Sequence, residues 1–249
     1  TGTATIALVS DGTGTSGLAN TNLTSQTVNV SGNVYRLAVA SAHTPEPLSL
    51  GNVHVGGSFG TQALTLQNTA ANDTFSEKLN ASFSGVTGLA SASGSFSQLA
   101  PGSSNNTSLI VGLGGSANTG TAGAKTGTAT IALVSDGTGT SGLGTSGLGT
   151  QTVNVSGNVY RLAAASAYTL APLSLANVHV GGSFGTQTLS LQNTAASDGF
   201  SEKLNASIGG ATGLATTNSG SFTLLAPGST NYTSLSVGLG GSANTGTAG

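Results

Sequence analysis

The chain has 249 residues, a formal net charge of -2, and only five Lys and Arg in all. Five cations cannot form the basic patch that neutralises phosphates, so nucleic acid is excluded as a partner. Cysteine, methionine and tryptophan are absent, which excludes a disulfide framework and a thiolate metal site, and no apolar run approaches the ~20 residues of a membrane-spanning helix.

The first predicted strands are TATIALVSD at 3–11 and QTVNVSGNVYRL at 26–37, joined by a Gly-rich connection. A short segment, VASAHTPEP at 39–47, follows; Pro45 and Pro47 restrict it, and it reads as a stiff linker. From Pro47 the strand signals are PLSLGNVHV, then TQALTLQN with Leu64 and Leu66 on one face, then SEKLNASF with Leu79, Ala81 and Phe83. GSFSQL, closed by Ala100-Pro101-Gly102, comes next, then TSLIVGL with Leu109, Val111 and Leu113 in register. TATIALVSD returns at 128–136 with Ala129, Ile131 and Leu133 inward. QTVNVSGNVYRL returns at 151–162, with Val153 and Val155 inward and Gly157 as a bulge that re-aims Tyr160 and Leu162. Helical periodicity is convincing nowhere.

Thr1 recurs as Thr126, Pro47 as Pro172 and Phe75 as Phe200; after one inserted residue, Gly94 recurs as Gly220 and Gly123 as Gly249. So long a period indicates a tandem array of domains, each with its own core. The predicted fold is all-β: tandem immunoglobulin-like sandwiches of seven strands. Residues 1–40 supply the last two strands of one repeat, 41–46 a linker, and 47–163 a complete domain. Residues 164–171 are a second linker, and 172–249 the first five strands of the next repeat. The chain opens on neither a signal peptide nor an initiator Met, so Thr1 is not expected to be a natural start. An incomplete repeat exposes strand edges, and either the N-terminal strand pair of an identical neighbour or a longer covalent array would complete it.

The segments TGTATIALVSDGTGTSGLG, SQTVNVSGNVYRLA and the LxLQNT strand with FSEKLNAS downstream resemble the Ig-like repeats of large bacterial surface proteins of the choice-of-anchor D and Hydin-like kind. The resemblance implies stalks, adhesins and fibres outside the cell, and brings no catalytic residues. An anchoring segment is expected elsewhere in the parent protein.

Several motifs imitate catalytic or binding chemistry. Gly12, Gly14 and Gly17, repeated as Gly137, Gly139 and Gly142, spell G-x-G-x-x-G. A dinucleotide site also needs a following helix and an acid about 20 residues on, and neither is present. GGSFG at 56–60 and 181–185 places Ser58 and Ser183 where a hydrolase nucleophile would stand, again without the strand-to-helix turn. His54 and His179 alternate with valines and are expected to face solvent, while His43 is Tyr168 in the other copy, so no zinc or copper site is expected. Asp11, Asp136, Asp73 and Asp198 are too isolated for more than a weak calcium site. Glu77-Lys78 and Glu202-Lys203 are expected to be solvated or cross-strand partners worth little energy, not an acid/base dyad. Sequons at Asn22, Asn80 and Asn231 allow glycosylation.

These readings predict no catalytic, cofactor-binding or metal residues, no cofactor and no enzymatic activity. The expected function is a structural repeat module of an extracellular or cell-surface bacterial protein. It would form a stalk, sheath or filament, with copies of itself as partners in a head-to-tail homopolymer or a longer covalent array. The alternative is an adhesin-like module recognising a glycan or surface ligand, which few exposed aromatics support.

Overall fold

The computed structural model describes residues 1–114, 119–169, 172–240 and 246; positions 170 and 171 of the second linker and the end of the third repeat lie outside the described residues. Among the described residues there is no helix, and fifteen strands carry the structure.

β1 (Gly2–Ser10) and β2 (Thr21–Val30) form an antiparallel hairpin whose strands, among the described residues, pair only with each other. The middle unit contains β3 (Leu48–His54), β4 (Thr61–Gln67), β5 (Lys78–Gly88), β6 (Ala90–Ser93), β7 (Ser95–Leu99), β8 (Ser104–Leu113), β9 (Gly123–Asp136) and β10 (Thr145–Tyr160). They make one sheet of order β3-β10-β9-β5-β7 and another of order β4-β8-β6, compatible with a β-sandwich. The predicted alternation selects the inward faces: Leu64, Leu66, Leu79, Leu109, Ile131 and Val153 are fully buried in one cluster drawn from both sheets.

Two expectations are corrected. The unit has eight strands rather than seven, because β6 (ASAS) is four small residues without an apolar rhythm. Its position depends on tertiary contact: Leu89 N donates to Thr126 O at 3.0 Å, and a Cβ at Gly127 would collide with the backbone of Ala90. The bulge lies not at Gly157 but in β3. Between Ser49 and Asn52 the register against β10 gains a residue, and Gly51 takes φ 77°, which suits glycine. From Val153, alternation along β10 therefore runs unbroken to the buried Val159, leaving Leu162 exposed. Gly157 instead leaves room for Phe59, whose ring edge would lie 2.5 Å from an added Cβ.

The third unit contains β11 (Thr186–Gln192), β12 (Leu204–Ser207), β13 (Ala215–Thr217), β14 (Ser221–Leu225) and β15 (Thr230–Leu239). Its expected first strand at 172–180 is not formed. In the middle unit the equivalent β3 has one neighbour, β10, and among the described residues the third unit contains no strand of that kind. A segment cannot hold extended ladder geometry without a partner for its backbone groups.

Candidate assembly site

Beyond β2 the chain runs on to the middle unit and is sewn to it. Arg36 N donates to Phe75 O at 2.8 Å, Glu77 N donates to Arg36 O at 3.0 Å, and Thr44 and Thr65 exchange both backbone hydrogen bonds. Asn68, the Asn of the LQNT motif, is the central fastener. Its Oδ1 accepts from Val39 N and Ala70 N, each at 3.2 Å, and its Nδ2 donates to Glu77 O at 3.1 Å and Leu99 O at 3.2 Å. All four capacities of this fully buried amide are used. The stretch 41–46, expected to be a linker, includes a buried His43. Gln151 donates through Nε2 to Ser41 O at 2.7 Å, which turns its Oε1 toward His43 Nδ1 at 2.9 Å; His43 Nε2 meets Glu46 Oε2 at 2.9 Å.

The same stitching recurs one repeat later. Arg161 N donates to Phe200 O and Glu202 N to Arg161 O, while Asn193 holds Ala164, Ala195, Glu202 and Leu225 as Asn68 holds their counterparts. Tyr35 packs on Phe75 with centroids 5.6 Å apart at 46°, and Tyr160 on Phe200 at 5.7 Å and 46°. Arg36 pairs with Asp73 at 2.6 Å and Arg161 with Asp198 at 2.5 Å, each Arg holding its partner carboxyl below the ordinary range. Sequence reasoning did not single out Asn68 and Asn193; the signal was the apolar-polar run ending in a repeated Asn.

Glu77 overturns the expectation of a solvated side chain: the residue is 3% exposed. Ser135 Oγ donates to Glu77 Oε2 at 2.7 Å while accepting from Ala38 N at 2.8 Å, and Ser141 Oγ donates to Glu77 Oε1 at 2.5 Å. The exit segment, β9 and the turn after it thus meet around Glu77. Beside it, Asp136 accepts from Thr138, Asn80 and Gln98, and Thr138 above all holds its carboxyl down to about 2.

The G-x-G-x-x-G stretch is a tight turn leading into no helix. Ser141 N and Gly142 N both donate to Gly137 O, as Ser16 N and Gly17 N do to Gly12 O. Two of the three glycines have a local role: a Cβ at Gly137 would strike the Ser141 hydroxyl and the Glu77 carboxylate, and Gly142 adopts φ 73°. Ser58 and Ser183 are exposed in the irregular segments that follow turns, and Ser183 Oγ accepts from Gly185 N at 3.4 Å. His179 is exposed, whereas His54 Nε2 meets Glu202 Oε1 at 2.6 Å across the junction, beside a crevice of about 550 Å³ also bordered by Tyr160 and Leu224. Among the described residues no three His, Cys, Asp or Glu side chains cluster to hold a metal ion.

Strands of the middle unit have more partners than their counterparts in the other two units: β5 is flanked by β7 and β9, whereas among the described residues its counterpart β12 has β14 alone. Ile131 in β9 is 0% exposed and its hairpin counterpart Ile6 44%; Val159 is 0% exposed and Val34 89%. The chain matches no model of a known protein family and no curated protein. Among the described residues no helix is long and apolar enough to cross a membrane.

Proposed function

We propose that this chain is a structural repeat module, a run of immunoglobulin-like sandwiches that builds a stalk, sheath or filament outside a bacterial cell. The observation that carries the reading is the duplicated junction. Tyr35–Phe75 and Tyr160–Phe200 agree within 0.1 Å in separation and in tilt, and Arg36–Asp73 and Arg161–Asp198 have the same partners. A contact set that recurs at successive junctions fixes a constant step from unit to unit, which an extended load-bearing array needs and a freely jointed one lacks. A surface of Ser, Thr and Asn with few charges gives solvation without a strong field for ligands.

Electron microscopy of the native material tests this. Regular fibres or stalks with an axial repeat of one or two units are expected. Isolated particles that bind a defined glycan on an array would replace the structural reading with the adhesin one.

A further inference from the structure

We propose that His43 is an acid-set latch: its doubly protonated ring clamps the segment 41–46 onto β10, and loss of one ring proton releases it. The approach to the middle unit is then held in acid and loosened in base. All of the residues concerned lie in the middle unit and the segment that enters it, and the latch needs no second copy of the chain.

The hydrogen-bond directions around the ring are fixed by backbone groups. Gln151 Nε2 donates to Ser41 O at 2.7 Å, and Gln151 Oε1 accepts from His43 N at 3.0 Å. A backbone carbonyl only accepts and a backbone amide only donates, so the Gln151 amide cannot be turned over. His43 Nδ1, 2.9 Å from that same Oε1, must therefore carry a hydrogen. On the far side of the ring, Nε2 lies 2.9 Å from Glu46 Oε2. Asn154 donates to the same carboxylate, from its backbone N at 3.0 Å and from Nδ2 at 2.5 Å. Burial works to raise the Glu46 carboxyl, but the bonds from His43 and Asn154 outweigh it and hold it below the ordinary range. An ionised carboxylate only accepts, so Nε2 carries a hydrogen too. A ring that donates from both nitrogens is an imidazolium.

Glu46 is its counter-charge. The His43 side chain is 6% exposed, and β3, β4, β8 and β10 carry no Asp, Glu, Lys or Arg. On β9, Ile131 stands opposite Gln151, and the charged residues Lys125 and Asp136 lie about 20 and 17 Å away from it along the strand, in opposite directions. A neutral ring has one hydrogen for two acceptors. Either Gln151 Oε1 or Glu46 Oε2 then faces a bare nitrogen, and the lost bond is one to a charged or buried group. Closing thus favours the form with both hydrogens, so the latch opens as pH rises through the range in which imidazoles titrate. At the acid end it lasts until Glu46 takes up a proton, below the ordinary carboxylate range.

The His43–Glu46 pair is an addition to the common stitching of the junctions. Ser41 N donates to Gln67 O at 2.9 Å and Gln67 N to Ser41 Oγ at 3.0 Å; Ser166 and Gln192 make the same two bonds at the same distances. At that second junction His43 and Glu46 are replaced together, by Tyr168 and Ala171. The common bonds position the segment, and the pair makes its hold depend on pH.

Nuclear magnetic resonance of the whole chain at about pH 5 and about pH 8 tests this, through the His43 ring nitrogens and amide hydrogen exchange. At pH 5 both ring nitrogens are expected to carry hydrogen. The amides of His43 and Asn154, corrected for intrinsic exchange, are expected to be about tenfold better protected at pH 5 than at pH 8, the effect of one bond to a charged group. Glu46→Gln is expected to reverse the response, because the new amide nitrogen can donate to a bare Nε2 and the neutral ring then satisfies both partners. His43→Tyr, which carries the residue of the second junction, is expected to abolish the response while Ser41 N stays protected. A His43 ring with one hydrogen at pH 5, protection that does not change with pH, or a Glu46→Gln chain that responds as the parent does would overturn the latch. The parent chain and Glu46→Gln decide the matter even if His43→Tyr does not fold.

Discussion

Ser135 gives its hydroxyl hydrogen to the buried carboxylate of Glu77 at 2.7 Å, joining β9 to the residue that also receives the exit segment from the hairpin. The bond is one of a chain, Ala38 N to Ser135 Oγ to Glu77 Oε2, with Ser141 on the other carboxylate oxygen. Removing the acceptor strands the buried Ser135 hydroxyl and takes one partner from the half-buried Ser141.

Glu77→Ala is accordingly expected to destabilise the middle unit by about 2–3 kcal/mol, the cost of leaving buried donors unsatisfied. Glu202→Ala, on an exposed counterpart, is expected to cost less than about 1 kcal/mol in the isolated chain. Urea unfolding of both variants checks the contrast.

Asn68→Ala removes four hydrogen bonds at once and is expected to cost about 2–4 kcal/mol. Asn68→Asp should be at least as damaging, because it sets a carboxylate oxygen against the carbonyls of Glu77 and Leu99 that the amide now donates to. Hydrogen exchange should show the loss at Val39 and Ala70, whose amides it releases.

Gly137→Ala and Gly139→Ala separate a turn from a nucleotide cradle. The first drives a methyl into Ser141 and Glu77 and is expected to cost about 1–3 kcal/mol. The second meets the ends of two flexible side chains, Gln98 Oε1 at 3.4 Å and Lys78 Nζ at 3.8 Å, and should lie within about 0.5 kcal/mol of the parent. In a dinucleotide site the middle glycine is the one at which the backbone must approach the pyrophosphate, and the order of sensitivity would differ. Thermal melts of the two variants give the order.

Acid should weaken the middle unit through Asp136. Its carboxyl is held down to about 2 in the fold by Thr138, Asn80 and Gln98, against an ordinary value near 3.9 when unfolded. Between those values the unfolded chain binds more protons than the native one, so stability rises with pH there. The contribution is complete above about pH 4 and is lost as pH falls toward 2. Asp73 and Asp198, lowered by their arginines, act in the same direction. So does Glu46, where burial works to raise the carboxyl but bonds from His43 and Asn154 outweigh it. Urea unfolding from pH 2 to 7 should show this slope, and Asp136→Asn should flatten it.

Much of the architecture was legible from local pattern. Alternation placed Leu64, Leu66, Leu109, Val111, Ile131 and Val153 inward, and each is buried. The missing helix after Gly17 and Gly142 removed the nucleotide reading, and both stretches are turns. The hidden polar residues were not legible. Glu77 looked like a surface acid beside Lys78, because nothing within five residues reveals that Ser135 and Ser141 arrive from 58 and 64 positions away.

The amino-acid sequence by itself determined the repeat, the all-β character and the inward face of the strands with a clear apolar rhythm, since alternation and turn residues act over a few positions. Only the tertiary structure decided which segments become strands and which unit owns them. β6 exists because β8 pairs with it, residues 36–44 belong with the unit that follows them because Asn68 binds there, and 172–180 stays unformed for want of a β10. The physical reason is that a strand's side chains select a face locally, whereas its backbone hydrogen bonds are satisfied by a partner far away in the chain.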